Sequence, residues 1–470
     1  MKIGSSTASI PNPTPLLFLI TATVVVLWPD ASGVTALLVA AAIAVPIAVF
    51  WLSYSAVGAV VALIIASTAP RLFVEIGGLK ARPEHFICGM LCISIFFFWK
   101  KRRQPVQWIW PDYLLIAYAA MNIFSSLFQS IEPRQTIKWA LQQVLIILTY
   151  FFLRVLVQDR KDFRKAFMAM LVVGAVAVAY GIICFYSNLI FGTEFGMTIA
   201  QYGDLSAPYG LQYEANLLGS TSGALSVMML VMYLYDRRRR FLVGFALAFA
   251  GMAISLSRGA LGATLVGLAV VMIVGLRKGL LTRQVLANLA KATLCALLVV
   301  LPAVVPQYTE RFTAMDIGEP AVDPNTLTRI VQMSSAFEEV LKHPMLGGGT
   351  SSFQLAFDWQ ALGEEWEDQG WIGNTEMRVL HDTGVVGLVI FIAFLVSLFR
   401  RSGKALKIKS NPELVALLAS ALVYCISFQA TEGTLLAFPW VHLGLIGCAI
   451  SVLFTSEAGN GKETHQIVLG

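Results

Sequence analysis

The chain is 470 residues long, 57% apolar and only 13% charged. No soluble domain of that size hides so much apolar surface in its own core, so lipid must be the missing solvent. The net charge of +6 does not point to nucleic acid, because Lys and Arg sit in short loops between apolar runs, where membrane topology accounts for them.

Apolar runs long enough to cross a bilayer recur along nearly the whole length. They predict an all-α fold, a polytopic transmembrane bundle of about 12–14 spans. In chain order the predicted spans are 15–29, 33–49, 51–68, 84–99, 112–130, 135–157, 163–190, 216–235, 241–256, 259–276, 286–306, 383–399, 411–429 and 435–455. The opening MKIGSSTASIPNPTP has no cleavable-signal pattern, so the first span is expected to be retained. Gly33 to Thr68 reads either as two short spans or as one long broken one. A single integral membrane domain over 1–470 is expected, with one large loop at 307–382 inserted between spans.

The most positive short loops are Lys100 to Arg103, Arg160 to Lys165, Arg237 to Arg240, Arg277 to Arg283 and Arg400 to Lys409. Each follows an even-numbered span, so all lie on one side, which the positive-inside rule makes cytoplasmic. The 307–382 loop, Gly192 to Tyr213 and the turn at Arg258 then share the opposite side. The long loop is too polar to span, yet Leu327 to Leu341 and Ser352 to Leu362 have amphipathic helical patterning. With Trp359, Trp366 and Trp371 arguing for order, it reads as a small helical cap over the bundle.

Three stretches facing that side carry chemistry. Ser255-Leu256-Ser257-Arg258-Gly259 wedges an arginine between two spans, where it costs about 2.5–3.5 kcal/mol unless it snorkels or finds an anion. A planar guanidinium suits a phosphate or diphosphate, whereas the bland reading is a tight turn with Arg258 among headgroups. Arg329 precedes an amphipathic helix and the turn His343-Pro344-Met345-Leu346-Gly347-Gly348-Gly349. That turn lacks the lysine and strand of a phosphate-binding loop, so no nucleotide site is expected. Finally, a helix starting at Asn374 would put Asn374, Arg378 and His381 on one face, an amide, a cation and a titratable base. The alternative is an ion-paired helix start, Arg378 with Asp382. Glu214 and Asn216 open another span in the same compartment, as ordinary caps or as ligands.

Six cysteines, at 88, 92, 184, 295, 425 and 448, fall in apolar segments and form no disulfide framework. His85, Cys88 and Cys92 share a helix face but lack a fourth metal ligand. No metal or other cofactor is expected.

From about Ser130 to the final span, the order and placement of these motifs resemble the O-antigen ligase and O-antigen polymerase family of bacterial envelope glycosyltransferases. The matching features are Glu214 to Asn216 opening a span, the Ser255 to Gly259 serine-arginine-glycine turn, Arg329 ahead of the His343 to Gly349 turn, and Asn374 to Gly387 leading into a span. The resemblance implies a multi-pass protein of the bacterial inner membrane with a periplasmic cap and active face. It implies an undecaprenyl-diphosphate-linked glycan donor, a glycan or lipid-linked acceptor hydroxyl, surrounding membrane lipids and polysaccharide-assembly partners. Arg258 and Arg329 would hold the diphosphate, with Arg378, Asn374, Glu214 and Asn216 as further substrate contacts. Ligases of the family carry a His-Asn pair where this chain has Gly373-Asn374, so His381 or Glu376 is the candidate base and repeat-unit polymerisation is favoured over ligation. A transporter or flippase is the competing class, but no internal repeat of the carrier kind is evident. A structural scaffold would not need the clustered arginines.

Overall fold

The computed structural model describes residues 55–76, 79–101, 106–199, 206–313, 324–357 and 372–458. The predicted spans 15–29 and 33–49 lie outside them, as do Trp359, Trp366 and Trp371. The fold is an all-α polytopic bundle. Helices α1 Ala56–Ser67, α2 Pro83–Lys101, α3 Trp110–Phe128, α4 Pro133–Leu156 and α5 Arg160–Phe191 form the first part. They are followed by α6 Ala215–Asp236, α7 Arg239–Ile254, α8 Arg258–Arg277 and α9 Arg283–Thr313. The cap segment holds α10 Pro324–Lys342 and the single turn α11 Phe353–Ala356, and α12 Thr375–Ile408, α13 Pro412–Ser427 and α14 Ala437–Ala458 are the last of the described helices. Two antiparallel hairpins accompany them: β1 Val74–Ile76 with β2 Leu79–Ala81, and β3 Met197–Ile199 with β4 Ser206–Pro208.

Six of these helices, α4, α5, α6, α8, Arg283–Leu301 of α9, and α12, are long and apolar enough to cross a membrane. Their boundaries follow local chemistry. Asp159 caps α5 by accepting the Asp162 N–H at 2.8 Å, and Gly192 ends it at φ +66°. Asn411 caps α13 at 2.8 Å with Pro412 at the first helical position.

Helix α6 is the hub, packed against α5, α7, α8 and α13. Gly219 and Gly223 permit the close approach of α8: an added Cβ would meet Ala260 Cβ at 2.9 Å and Thr264 Oγ1 at 2.0 Å. A second group joins α3, α4, α12 and α14 around the buried Trp440, whose ring lies near Tyr118, Phe391 and Phe394.

The structure refines the predicted 383–399 span. α12 starts at Thr375 and is broken at Gly384, whose φ of +66° and ψ of −172° are open to glycine alone. The cap turn splices into this break. Val385 and Val386 donate to the carbonyls of Pro344 and Met345, while Gly348 and Gly349 donate to those of His381 and Asp382. Ser125 on α3 adds a 2.7 Å bond to the Asp382 carbonyl, and Ser126 Oγ accepts the Thr350 N–H at 2.9 Å. The glycine N–H groups thus belong to α12 rather than to an anion. α10 packs on α12, and Ala336, Phe353 and Ile372 form a small core with Met333, Phe357 and Met377.

Candidate functional site

The loop between α13 and α14, residues 428–436, gathers one end of the bundle. Gly259 approaches it so closely that an added Cβ would lie 3.1 Å from Ala430 Cβ, which brings the start of α8, and Arg258 with it, beside the loop. The turn before α8 is held by Ser257, which caps the Ala260 N–H at 3.3 Å, and by Leu256 at φ +55°. Arg258 itself is exposed.

Glu214 precedes α6 and accepts a short hydrogen bond from Thr431. Burial pushes its carboxyl above the usual carboxylate range, against the opposing pull of the Thr431 hydroxyl and the Arg329 charge; the nearby Glu432 adds to the rise. Arg329, from α10 of the cap, and Asn216 therefore share the surroundings of Glu214. Of the predicted positions, Glu214 touches this loop through Thr431, Arg258 lies beside it, and Arg329 and Asn216 act on the Glu214 carboxyl.

Arg378 is 3% exposed and fully engaged by protein groups. Its Nε donates to Asp382 Oδ2 at 3.2 Å, its Nη1 to Glu432 Oε1 at 3.1 Å and Thr434 Oγ1 at 2.6 Å, and its Nη2 to Gln143 Oε1 at 3.4 Å. The ion-paired reading of the helix start is what the structure shows. Glu432 is braced in turn by the backbone N–H groups of Thr434, at 2.7 Å, and Leu435, at 3.3 Å.

The other oxygen of Asp382 lies 3.1 Å from His381 Nδ1, so one carboxylate joins the guanidinium to the imidazole. His381 is 2% exposed, with its ring edge-on to Phe353 at 5.6 Å. Among the described residues no hydrogen bond occupies Nε2. A carboxylate on Nδ1 fixes the tautomer and turns Nε2 into the proton acceptor, the arrangement that a general base needs.

The predicted face of Asn374, Arg378 and His381 is only partly formed. α12 begins one residue after Asn374, which is its cap: Asn374 Oδ1 accepts the Met377 N–H at 2.9 Å and Nδ2 donates to Gln429 Oε1 at 3.1 Å. Glu376 accepts from Gln429 Nε2 at 2.7 Å. The two candidate bases on α12 thus have different partners, Glu376 bonding to Gln429 of the 428–436 loop and His381 to Asp382.

Sequence reasoning missed Gln143, Thr431, Glu432 and Thr434. One signal was available, since Glu432 is the sole acidic residue between the last two spans. Around the earlier metal motif, His85 Nδ1 accepts the Arg82 N–H at 3.1 Å and Glu84 pairs with Arg82 at 3.1 Å. Among the described residues no group of His, Cys, Asp or Glu has metal-binding geometry.

Residues 243–392 match the family model described as O-antigen ligase, so the chain carries a domain of the family that its motifs resemble. The matched segment contains Arg258, Arg329, Asn374, Glu376, Arg378, His381 and Asp382, whereas Glu214, Asn216 and Glu432 lie outside it. No curated protein matches the chain.

Proposed function

We propose that this O-antigen ligase family chain is a glycosyltransferase that polymerises repeat units carried on undecaprenyl diphosphate, at the periplasmic face of the bacterial inner membrane. The observation that carries this reading is the Arg378–Asp382–His381 relay, set in the family segment at the end of the bundle where Arg258, Arg329 and Glu214 converge.

In the reaction, His381 Nε2 takes the proton of the acceptor hydroxyl while that oxygen bonds to the anomeric carbon of the donor sugar. The bond from that carbon to the diphosphate oxygen breaks, and the lipid diphosphate leaves with both electrons. Arg258 and Arg329 compensate its growing charge. Asp382 keeps His381 in the required tautomer and balances the positive charge the ring acquires, while Arg378 and Glu432 hold Asp382 in place. Glu214 and Asn216 line the path of the donor sugar, and Asn374 and Glu376 border the acceptor side through Gln429.

A second reading is transfer of finished glycan to a lipid A core or another acceptor. The ligase description of the matching family favours it, and it uses the same residues. Glycan profiling of a deletion strain, complemented with wild type, Arg258→Ala, Arg329→Ala or His381→Ala, separates the two. Lost polymer with persisting single lipid-linked units marks a polymerase, and finished polymer stranded on its carrier marks a ligase. Unchanged glycans in every strain would return a transporter to first place.

A further inference from the structure

The β1–β2 hairpin lies outside the family segment and carries cations that the positive-inside rule disfavours. Between α1 and α2, on the side that loop charges make non-cytoplasmic, the chain places Arg71, Lys80 and Arg82. Arg82 is accounted for: it pairs with Glu84 at 3.1 Å and donates to the Leu435 carbonyl at 2.7 Å, tying the hairpin to the 428–436 loop.

Arg71 and Lys80 are exposed and held differently. The Arg71 guanidinium lies 4.6 Å from the Tyr209 ring centroid and 5.5 Å from that of Tyr213, and donates to the Tyr213 carbonyl at 3.3 Å. Lys80 Nζ lies 5.3 Å from the Phe73 centroid and 6.0 Å from that of Tyr213, and donates to the Tyr213 hydroxyl at 3.3 Å. Among the described residues neither has a carboxylate partner, although Glu75 stands opposite Lys80 in the ladder. Aromatic faces and carbonyls orient a cation without cancelling its charge, and leave it able to bind an anion.

The direction is fixed as well. Tyr213, against which both cations rest, immediately precedes Glu214. Gln142 of α4 reaches the Lys80 carbonyl at 3.5 Å, while its neighbour Gln143 touches Arg378. Cations that only met lipid headgroups would have no need of this attachment to the segment leading into Glu214.

We propose that Arg71 and Lys80, laid over Tyr209, Tyr213 and Phe73, form an anion subsite beside the transfer site, taking a carboxylate or phosphate substituent on the glycan. The site selects acidic polymers over neutral ones and holds a chain as it leaves or approaches Glu214. This rests on the glycosyltransferase reading for its biological ligand, but its chemistry is testable without turnover.

The test uses the full chain in nanodiscs of phosphatidylcholine alone, titrated with oligogalacturonate and with a neutral dextran oligomer of equal length. About tenfold tighter binding of the acidic oligomer is expected, declining with added salt. The R71Q/K80Q double variant should lose that preference, while the charge-conserving R71K/K80R should keep it. His381→Ala should bind like wild type, which separates failure of this subsite from failure of the catalytic reading. Equal affinity for both oligomers, or an undiminished preference in R71Q/K80Q, overturns the proposal. So does a double variant that loses only phosphatidylglycerol retained from mixed nanodiscs, since that assigns the cations to lipid phosphate.

Discussion

Arg154, near the end of the span α4, and Arg378, which reaches Gln143 of the same span, are each 3% exposed, and their partners differ. Among the described residues Arg154 pairs with the carboxylate of Asp112 at 3.1 Å, with further bonds to the carbonyls of Gly447 and Gln107 and to Ser451. Tyr150 donates to the other Asp112 oxygen at 2.7 Å, and no imidazole joins that carboxylate among the described residues. Arg378 meets two carboxylates, and one of them passes on to His381. The Arg154–Asp112 pair ties α3, α4 and α14 together, whereas the Arg378–Asp382 pair extends to an imidazole, a group that can accept a proton. Burial of an arginine therefore does not by itself tell the two clusters apart; the group at the far side of its carboxylate does.

Substitutions at the two carboxylates should break the comparison in opposite ways. Asp382→Asn leaves Arg378 with Glu432, so the protein should accumulate and melt near wild type. Glycan transfer should nevertheless fall by about 10²–10⁴-fold, read from the rate of product formation. Asp112→Ala leaves Arg154 with no counter-charge among its described partners. It should cost about 3–5 kcal/mol of stability, seen as a lowered melting temperature in detergent, with transfer per folded molecule unchanged.

A smaller effect is expected at the splice beneath His381. An added Cβ at Gly384 would lie 2.3 Å from the Met345 carbonyl, and the backbone there is at positive φ. Gly384→Ala should cost about 1–3 kcal/mol and raise hydrogen exchange in the Pro344 to Gly349 turn.

The smallest effect is at Glu214. Its carboxyl is held above the usual range, so the folded protein keeps a proton that the unfolded chain has released. That stability is complete below the ordinary carboxylate range and is lost as the pH rises through the raised value. Melting temperature should decline over that window in wild type, and Glu214→Gln should flatten the decline.

Much of this was legible in the sequence. Hydropathy located the described helices because a bilayer imposes both length and apolarity, and the polar residues left between spans were few enough to single out Arg258, Arg329, Arg378 and His381. The break at Gly384 was not legible, since it depends on carbonyls supplied by Pro344 and Met345 from the cap. Nor could spacing show that Asn374 would serve as a cap, because Asn is equally at home as a ligand. Glu432 was missed because its role exists only once Arg378, 54 positions earlier, is folded against it.

In the proposed mechanism His381 is the base of a glycan transfer. The direct measurement is turnover of a synthetic polyprenyl-diphosphate-linked repeat unit by the purified full chain in nanodiscs, comparing wild type with His381→Ala. Longer glycan product is expected from wild type, with a loss of at least about 100-fold in the variant and the protein equally folded. Full turnover by His381→Ala would contradict it.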